Sequence, residues 1–206
     1  MEIRRDLTSA GPPDSGTALT IGAYDGVHLG HRQVISEVCR LAAEEHLVSA
    51  VVTFDRHPAT VVRPESAPLL LTDLEQKLEV LATTGVDLTQ VVVFDQARAS
   101  EDAEVFVTEV LVEGLGARVV AVGEDFHFGR QRQGNVDLLR RMGADLGFEV
   151  YALGLVGTGG VPARDHEQVS STFIRRALAS GELDRANDML GRPYEVCGIV
   201  ENDHNP

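Results

Sequence analysis

Apolar residues recur along this chain in two rhythms: short runs rich in β-branched side chains, and longer stretches in which they return every three or four positions. The short runs fall at 18–23, 48–54, 88–94, 118–123 and 148–156 and predict strands. Between them, 31–45 places Val34, Ile35, Val38, Leu41 and Ala42 on one helical stripe with charged residues opposite. The stretch 73–84 turns Leu74, Leu78 and Leu81 inward, with Thr72 as its expected N-cap and Glu75 completing a capping box. Ser100 is the expected cap of a helix over 101–114, and a further helix is expected over 135–146. Ser170 or Ser171 caps a helix that runs through Ala179 and ends at Gly181. Such alternation predicts an α/β fold, a doubly wound, mainly parallel sheet covered on both faces by helices, with ligands at the carboxyl ends of its strands. The loops 55–71, 124–134 and 157–169 are long enough to carry function. No repeat or low-complexity tract interrupts the pattern, which fits one main domain over 1–190, while 193–200 reads as a short β-like segment before a polar tail.

Composition narrows the classes. A hydrophobic fraction of 43% over 206 residues supports a sizeable core. Eighteen basic against thirty-two acidic residues leave a net charge of −14, which opposes general attraction to nucleic acid or an anionic membrane, so a polyanionic ligand has to be held locally. Cys39 and Cys197 stand in no CxxC or Cys/His ligand spacing and form neither a disulfide framework nor a zinc signature. Residues 1–16 lack the apolar core of a signal peptide, and no apolar run approaches the ~20 residues of a membrane span. A cytoplasmic protein is expected.

The candidate chemistry begins where Ile21 leads through Gly22-Ala23-Tyr24-Asp25-Gly26-Val27 to His28-Leu29-Gly30-His31, a strand passing through a glycine-rich turn into a helix. Unpaired N–H groups at a helix N-terminus and the positive end of its dipole stabilise a phosphate, and two imidazoles three positions apart add donors to the same anion. Gly26 and Gly30 permit close ligand approach. Two surface histidines, or a pair of metal ligands, are the alternatives, and no obvious third ligand supports zinc. In Ser171-Thr172-x-x-Arg175, hydroxyls in a helix first turn and a guanidinium one turn later can face one anion, the alternative being an ordinary cap with an exposed arginine. Phe54, His57 and Pro58 follow the second strand and can form an apolar wall, unless Phe54 points into the core. Phe126 and Phe128, flanked by Gly123 and Gly129, suit an aromatic ligand or a satellite core.

The segment from Gly22 to His31 resembles the HxGH signature of the nucleotidyltransferase superfamily, in the form found in bacterial FAD synthetases. Three further segments resemble the same family in the same order: Thr53-Phe54-Asp55-Arg56-His57-Pro58, Val122-Gly123-Glu124-Asp125-Phe126-His127-Phe128-Gly129 and Ser170-Ser171-Thr172-Phe173-Ile174-Arg175. Together they cover residues 19–194. The resemblance implies a Rossmann-like nucleotidyltransferase fold and FMN adenylyltransferase activity, in which ATP and FMN give FAD and pyrophosphate. It further implies that His28, His31 and Arg175 are catalytic, that Ser171, Thr172 and Arg175 hold the ATP polyphosphate, and that Gly22, Tyr24, Asp25, Gly26 and Gly30 complete the ATP site. For FMN it implies Phe54, Arg56, His57, Pro58, Asp125, Phe126 and Phe128, with Phe128 as flavin contact and Phe126 as its support. Phe106 also stands at a position aromatic in the family, where core burial competes. Arg56 stands where the family usually has proline, and Tyr24 where it has phenylalanine; Arg56 can instead contact the FMN phosphate. Mg²⁺ is expected through the ATP phosphates, with no protein-only metal cage. Leu190-Gly191-Arg192-Pro193-Tyr194 resembles the start of a riboflavin kinase module, so 191–206 is expected to be its remnant and this polypeptide to lack kinase activity. A non-catalytic flavin-nucleotide sensing module, and a nucleotidyltransferase for another phosphate ester, are the alternatives.

Overall fold

The computed structural model describes residues 1–7, 11–154 and 169–198. The chain runs through β1 (Glu2–Arg4), β2 (Thr17–Ile21), α1 (Leu29–Glu45), β3 (Val48–Phe54), α2 (Ala59–Val62), α3 (Leu74–Ala82), β4 (Leu88–Val92), α4 (Gln96–Ala99) and α5 (Ala103–Phe106). It continues through β5 (Ala117–Gly123), the hairpin strands β6 (His127–Phe128) and β7 (Gly134–Asn135), α6 (Val136–Leu146), β8 (Glu149–Leu153), α7 (Ser171–Ala179) and α8 (Leu183–Leu190). Six strands form one parallel sheet in the order β1-β4-β3-β2-β5-β8, and β6 and β7 pair antiparallel beside it.

Successive strand residues point to opposite faces, so each central strand feeds two cores. Leu19, Ile21, Val52 and Val122 pack with Phe106, Val110 and Leu139 on one face. Ala18, Val119 and Ala121 meet Val38, Leu41 and Ala42 of α1 on the other, where Val51 packs with Ile35, Leu78 and Leu81. A further cluster of Leu71, Ile174, Ala177, Ala186, Met189 and Leu190 binds α7 and α8 to the loop ahead of α3. From β2 the chain winds outward through β3 and β4 on one side, then through β5 and β8 on the other. The order therefore reverses between β2 and β5, and a crevice opens there at the carboxyl ends.

The five strands expected from the sequence are present, β3 with the expected bounds and the others shifted by one or two residues at their described ends, and β1, α8, the short α2 and α4 and the β6–β7 hairpin are additions. Three residues of β1 are too few to show a period; pairing of Glu2–Arg4 with Leu88–Gln90 creates the strand. The helix expected from 31 starts at Leu29, because the His28 side chain caps it. Asp73, not Thr72, caps α3, and its capping box is closed by Gln76, not Glu75. Thr72 is engaged elsewhere: its hydroxyl accepts the Gly26 N–H at 3.1 Å. Ser100 closes α4 instead of opening the next helix, which begins after Asp102 as α5 and widens into a π-type coil over Val107–Gly114. Ser170 caps α7, and Asn135 caps α6. Residues 193–198 form no strand; 199–200, the end of the strand expected over 148–156, and most of the loop 157–169 lie outside the described residues. Among the described residues, no helix is long and apolar enough to cross a membrane.

Candidate active site

Two cavities open at the reversal point and share Ile21, Gly22 and Phe126 as walls. The larger, about 580 Å³, is lined by five phenylalanines, Phe54, Phe94, Phe106, Phe126 and Phe128, together with His57, Pro58 and Val62. Phe54 meets Phe94 edge-on at 5.1 Å, and Phe126 stacks on Phe128 at 5.4 Å. Polar groups break this lining, among them Arg98, which lies over the Phe106 ring at 5.9 Å and is held by both Glu101 oxygens at 2.7 and 2.6 Å. The smaller cavity, about 330 Å³, lies over the start of α1 and is walled by Tyr24, His28, Gly30, His31, Gly123, Asp125, Ser170 and Ser171.

The turn that carries His28 is backbone-strained. Tyr24, Gly26 and Val27 all have positive φ, at 51°, 80° and 38°. Glycine accepts this geometry, whereas a β-branched valine there is unusual and occurs where surrounding packing enforces it. Val27 is fully buried, and a Cβ at Gly26 would lie 2.8 Å from Leu71 Cδ1. Gly30 serves differently: it is helical, and the absence of a Cβ leaves room for the His28 ring, 3.3 Å from where that atom would sit.

The two imidazoles are stacked at 3.6 Å, with Tyr24 edge-on to His31 at 4.9 Å. The His31 N–H donates to His28 Nδ1 at 3.3 Å, so neutral His28 carries its proton on Nε2. Burial lowers the His28 pKa to about 4, helped by the charges of Arg175 and Arg192. Burial also holds His31 well below its ordinary value, with His28 and Lys77 adding to the effect. His31 Nδ1 is buried without a hydrogen-bond partner among the described residues, an uncompensated polar atom on the ligand-facing turn. An anion arriving here meets neutral rings whose protonation it favours.

Beneath the turn lies a polar knot centred on Asp25. Its carboxylate accepts the Leu71 N–H at 2.9 Å and the Thr72 N–H at 3.1 Å, and it pairs with Arg175. Arg175 Nε donates to the Leu69 carbonyl at 2.6 Å, and the Ser171 hydroxyl donates to the Asp25 carbonyl at 2.9 Å. The helix-start serine, the turn and the 69–72 loop are thereby joined.

A model of the FAD synthetase family matches residues 11–173. The chain belongs to that family. It is 38% identical to a bifunctional riboflavin kinase/FMN adenylyltransferase of Pseudomonas fluorescens over 97% of its own length and 62% of the relative's. It is 37% identical to the Escherichia coli K12 protein of the same description, over 91% of this chain and 58% of that one. The chain thus spans about three fifths of the length of the curated relatives it matches. A solved Streptococcus pneumoniae structure described as a macrolide-efflux protein superimposes with a TM-score of 0.78 at 23% identity, covering 94% of this chain and 62% of that one, which shows a shared fold.

Set in the FAD synthetase fold, the residues singled out in the sequence separate into three groups. Gly22, Tyr24, His28, Gly30, His31 and Ser171 line the smaller cavity, and Phe54, His57, Pro58, Phe126 and Phe128 the larger. Asp125, expected beside the flavin, lines the smaller cavity, because it follows β5 directly at the reversal point. Arg56, Asp25, Gly26, Thr172 and Arg175 line neither cavity. Arg56 is exposed and paired with Asp55 at 2.8 Å, Thr172 faces outward, and Arg175 is drawn to Asp25. Among the described residues, no group of three or more His, Cys, Asp or Glu side chains could hold a metal ion.

Sequence reasoning missed Phe94, Arg98, Glu101, Gln131 and Arg132 on the larger cavity, and Lys77 beneath it. Lys77 left a legible sign, a lysine on the Leu74/Leu78/Leu81 face of its helix. Gln131 and Arg132 lie between β6 and β7 with φ of 53° and 60°. Glycine removes the Cβ clash of that conformation at some cost in chain entropy, so Gln131→Gly is expected to raise stability by about 0.5–1 kcal/mol. A urea midpoint that stays level or falls counts against the left-handed geometry.

Proposed function

We propose that the chain transfers AMP from ATP to FMN, giving FAD and pyrophosphate. One observation carries this reading: a phosphate-suited cavity over a helix N-terminus with two imidazoles adjoins a phenylalanine-lined cavity, and the two share walls at Gly22 and Phe126. The larger cavity falls in the range that takes a fused aromatic ring system. With the isoalloxazine there, the FMN phosphate meets the ATP α-phosphate where the cavities adjoin. The relatives described as FMN adenylyltransferases support the same substrates.

In this mechanism an FMN phosphate oxygen forms a bond to the ATP α-phosphorus in line with the departing group, and the bond from that phosphorus to the bridging oxygen of the β-phosphate breaks. The nucleophile is already anionic, so no general base is needed; catalysis is positioning and charge stabilisation. His28 and His31 donate to the developing negative charge, and the first turn of α7, with Ser171 on the cavity wall, holds the polyphosphate. Arg175 joins them by exchanging the Asp25 carboxylate for phosphate oxygens. Mg²⁺ carried by the ATP phosphates would supply charge neutralisation there, since among the described residues no side-chain cluster could hold it. His57, whose pKa is lowered by burial and whose Nδ1 accepts the Ala59 N–H at 3.1 Å, lines the flavin side as a neutral polar group.

The test is incubation with FMN, ATP and Mg²⁺ followed by separation of products. FAD and pyrophosphate in equal amounts are expected. Tight binding of both substrates without product establishes the sensing module instead, and turnover only with another phosphate ester replaces FMN as the substrate.

A further inference from the structure

The last backbone bond shared by β2 and β3 at their carboxyl ends runs from the Gly22 N–H to the Val52 carbonyl at 3.0 Å. Beyond it the two chains part, one into the strained turn that carries the histidines and the other into the loop of His57 and Pro58. Parting leaves the Ala23 and Phe54 carbonyls without a strand N–H, and unpaired buried carbonyls are costly. One side chain serves both. Lys77, reaching up from α3, donates from Nζ to the Phe54 carbonyl at 2.8 Å and to the Ala23 carbonyl at 3.2 Å. The Thr53 hydroxyl adds a second tie to Ala23, at 3.2 Å.

We propose that Lys77 is a positioning residue that sets the distance between the nucleotide turn and the flavin-side loop, and with it the alignment of the FMN phosphate on the ATP α-phosphorus. The proposal rests on the adenylyl-transfer reading above. Lys77 is only 6% exposed, on a helix face otherwise given to Leu74, Leu78 and Leu81, where an apolar side chain satisfies packing without the cost of burying an ammonium. Burial lowers its pKa to about 8, and the Asp25 and Asp55 carboxylates on the two diverging segments counter that shift. Ala23 and Phe54, the residues it holds, both line the larger cavity, and His31 lies at the far end of the same turn. Displacement of reacting groups by about 1 Å is worth about 10²-fold in rate.

Three variants test this: Lys77→Met, Lys77→Gln and Thr53→Val, each assayed for FAD formation beside the wild type. Binding is measured separately for FMN alone, by quenching of its fluorescence, and for Mg·ATP alone, by calorimetry. In Lys77→Met, turnover per folded molecule is expected to fall about 10²-fold while each substrate alone binds almost as before. Lys77→Gln, which keeps a two-hydrogen donor, recovers part of the loss, and Thr53→Val shows a smaller loss of the same kind. Unchanged turnover in folded Lys77→Met overturns the proposal, as does loss of binding of either substrate equal to the loss of turnover. If neither Lys77 variant folds, Thr53→Val decides, and full activity there overturns it. A wild type that makes no FAD removes the underlying reading and this proposal together, whereas an active wild type with equally active variants removes this proposal alone.

Discussion

The His28→Ala/His31→Ala variant is expected to form FAD at least about 10³-fold more slowly than the wild type, since one lost transition-state donor typically costs about 10²–10³-fold and the two rings act as a unit. The rings stack at 3.6 Å on a helix N-terminus, so they approach the reacting phosphate together. Both are held neutral by burial in the free chain, and the gain on reaching the transition state comes from charge that appears only there. Turnover should therefore fall further than ATP affinity, with initial rates by product separation and ATP affinity by calorimetry as the two measurements. Wild-type rates from the double variant would sink the assigned mechanism.

The same burial makes a second, independent readout. The folded-state pKa of His28, about 4, lies below its unfolded value of 6.5, so between these values the unfolded chain binds more protons. The contribution of the neutral ring is complete above pH 6.5 and is lost as pH falls toward 4; His31 acts in the same direction. The double alanine variant should consequently show a shallower fall of Tm over that interval than the wild type. Equal slopes would mean that the rings are solvated in the folded chain.

Asp25→Ala is expected to cost about 3–5 kcal/mol of stability, the usual cost of removing one partner of a buried ion pair. Asp25 is 5% exposed, and its loss strands the Arg175 guanidinium together with the Leu71 and Thr72 amides. A domain of ordinary stability, about 5–15 kcal/mol, is left marginal by such a change. Asp25→Asn keeps an oxygen for the two amides and removes only the charge facing Arg175, so about 1–2 kcal/mol is expected. Urea unfolding of the three proteins measures the series; a loss below about 1 kcal/mol in Asp25→Ala would show that the knot is peripheral to the fold.

Legibility of the fold followed the range of the interactions involved. β3 matches its expected span, Val48–Phe54, because seven consecutive apolar or small residues buried on both faces write a strand directly. The α1 stripe is equally plain, and Ile35, Val38, Leu41 and Ala42 are its buried residues. Caps were less readable. Thr72 and Asp73 are both competent caps, and the choice fell to Asp73 because the Thr72 hydroxyl is taken by the Gly26 N–H, 46 residues away in sequence. Arg56 and Arg175 show the same limit at the site: each cation satisfies a nearby carboxylate, Asp55 in one case and Asp25 in the other, and these partnerships govern where the guanidinium points.

By itself the sequence determined the α/β alternation, the helix start that bears His28 and His31, the four ordered segments that mark the FAD synthetase family, and the phenylalanines that line the larger cavity. Those features depend on neighbouring residues, whose spacing and chemistry are written along the chain. Tertiary structure alone decided that His28 is buried and His31 half-buried, with desolvation holding both neutral, that Asp25 is a structural hub, that Asp125 faces the smaller cavity, and that Lys77 spans the gap between two diverging strands. Each of these depends on groups from separate segments meeting in a low-dielectric interior, where burial and pairing outweigh what any residue prefers on its own.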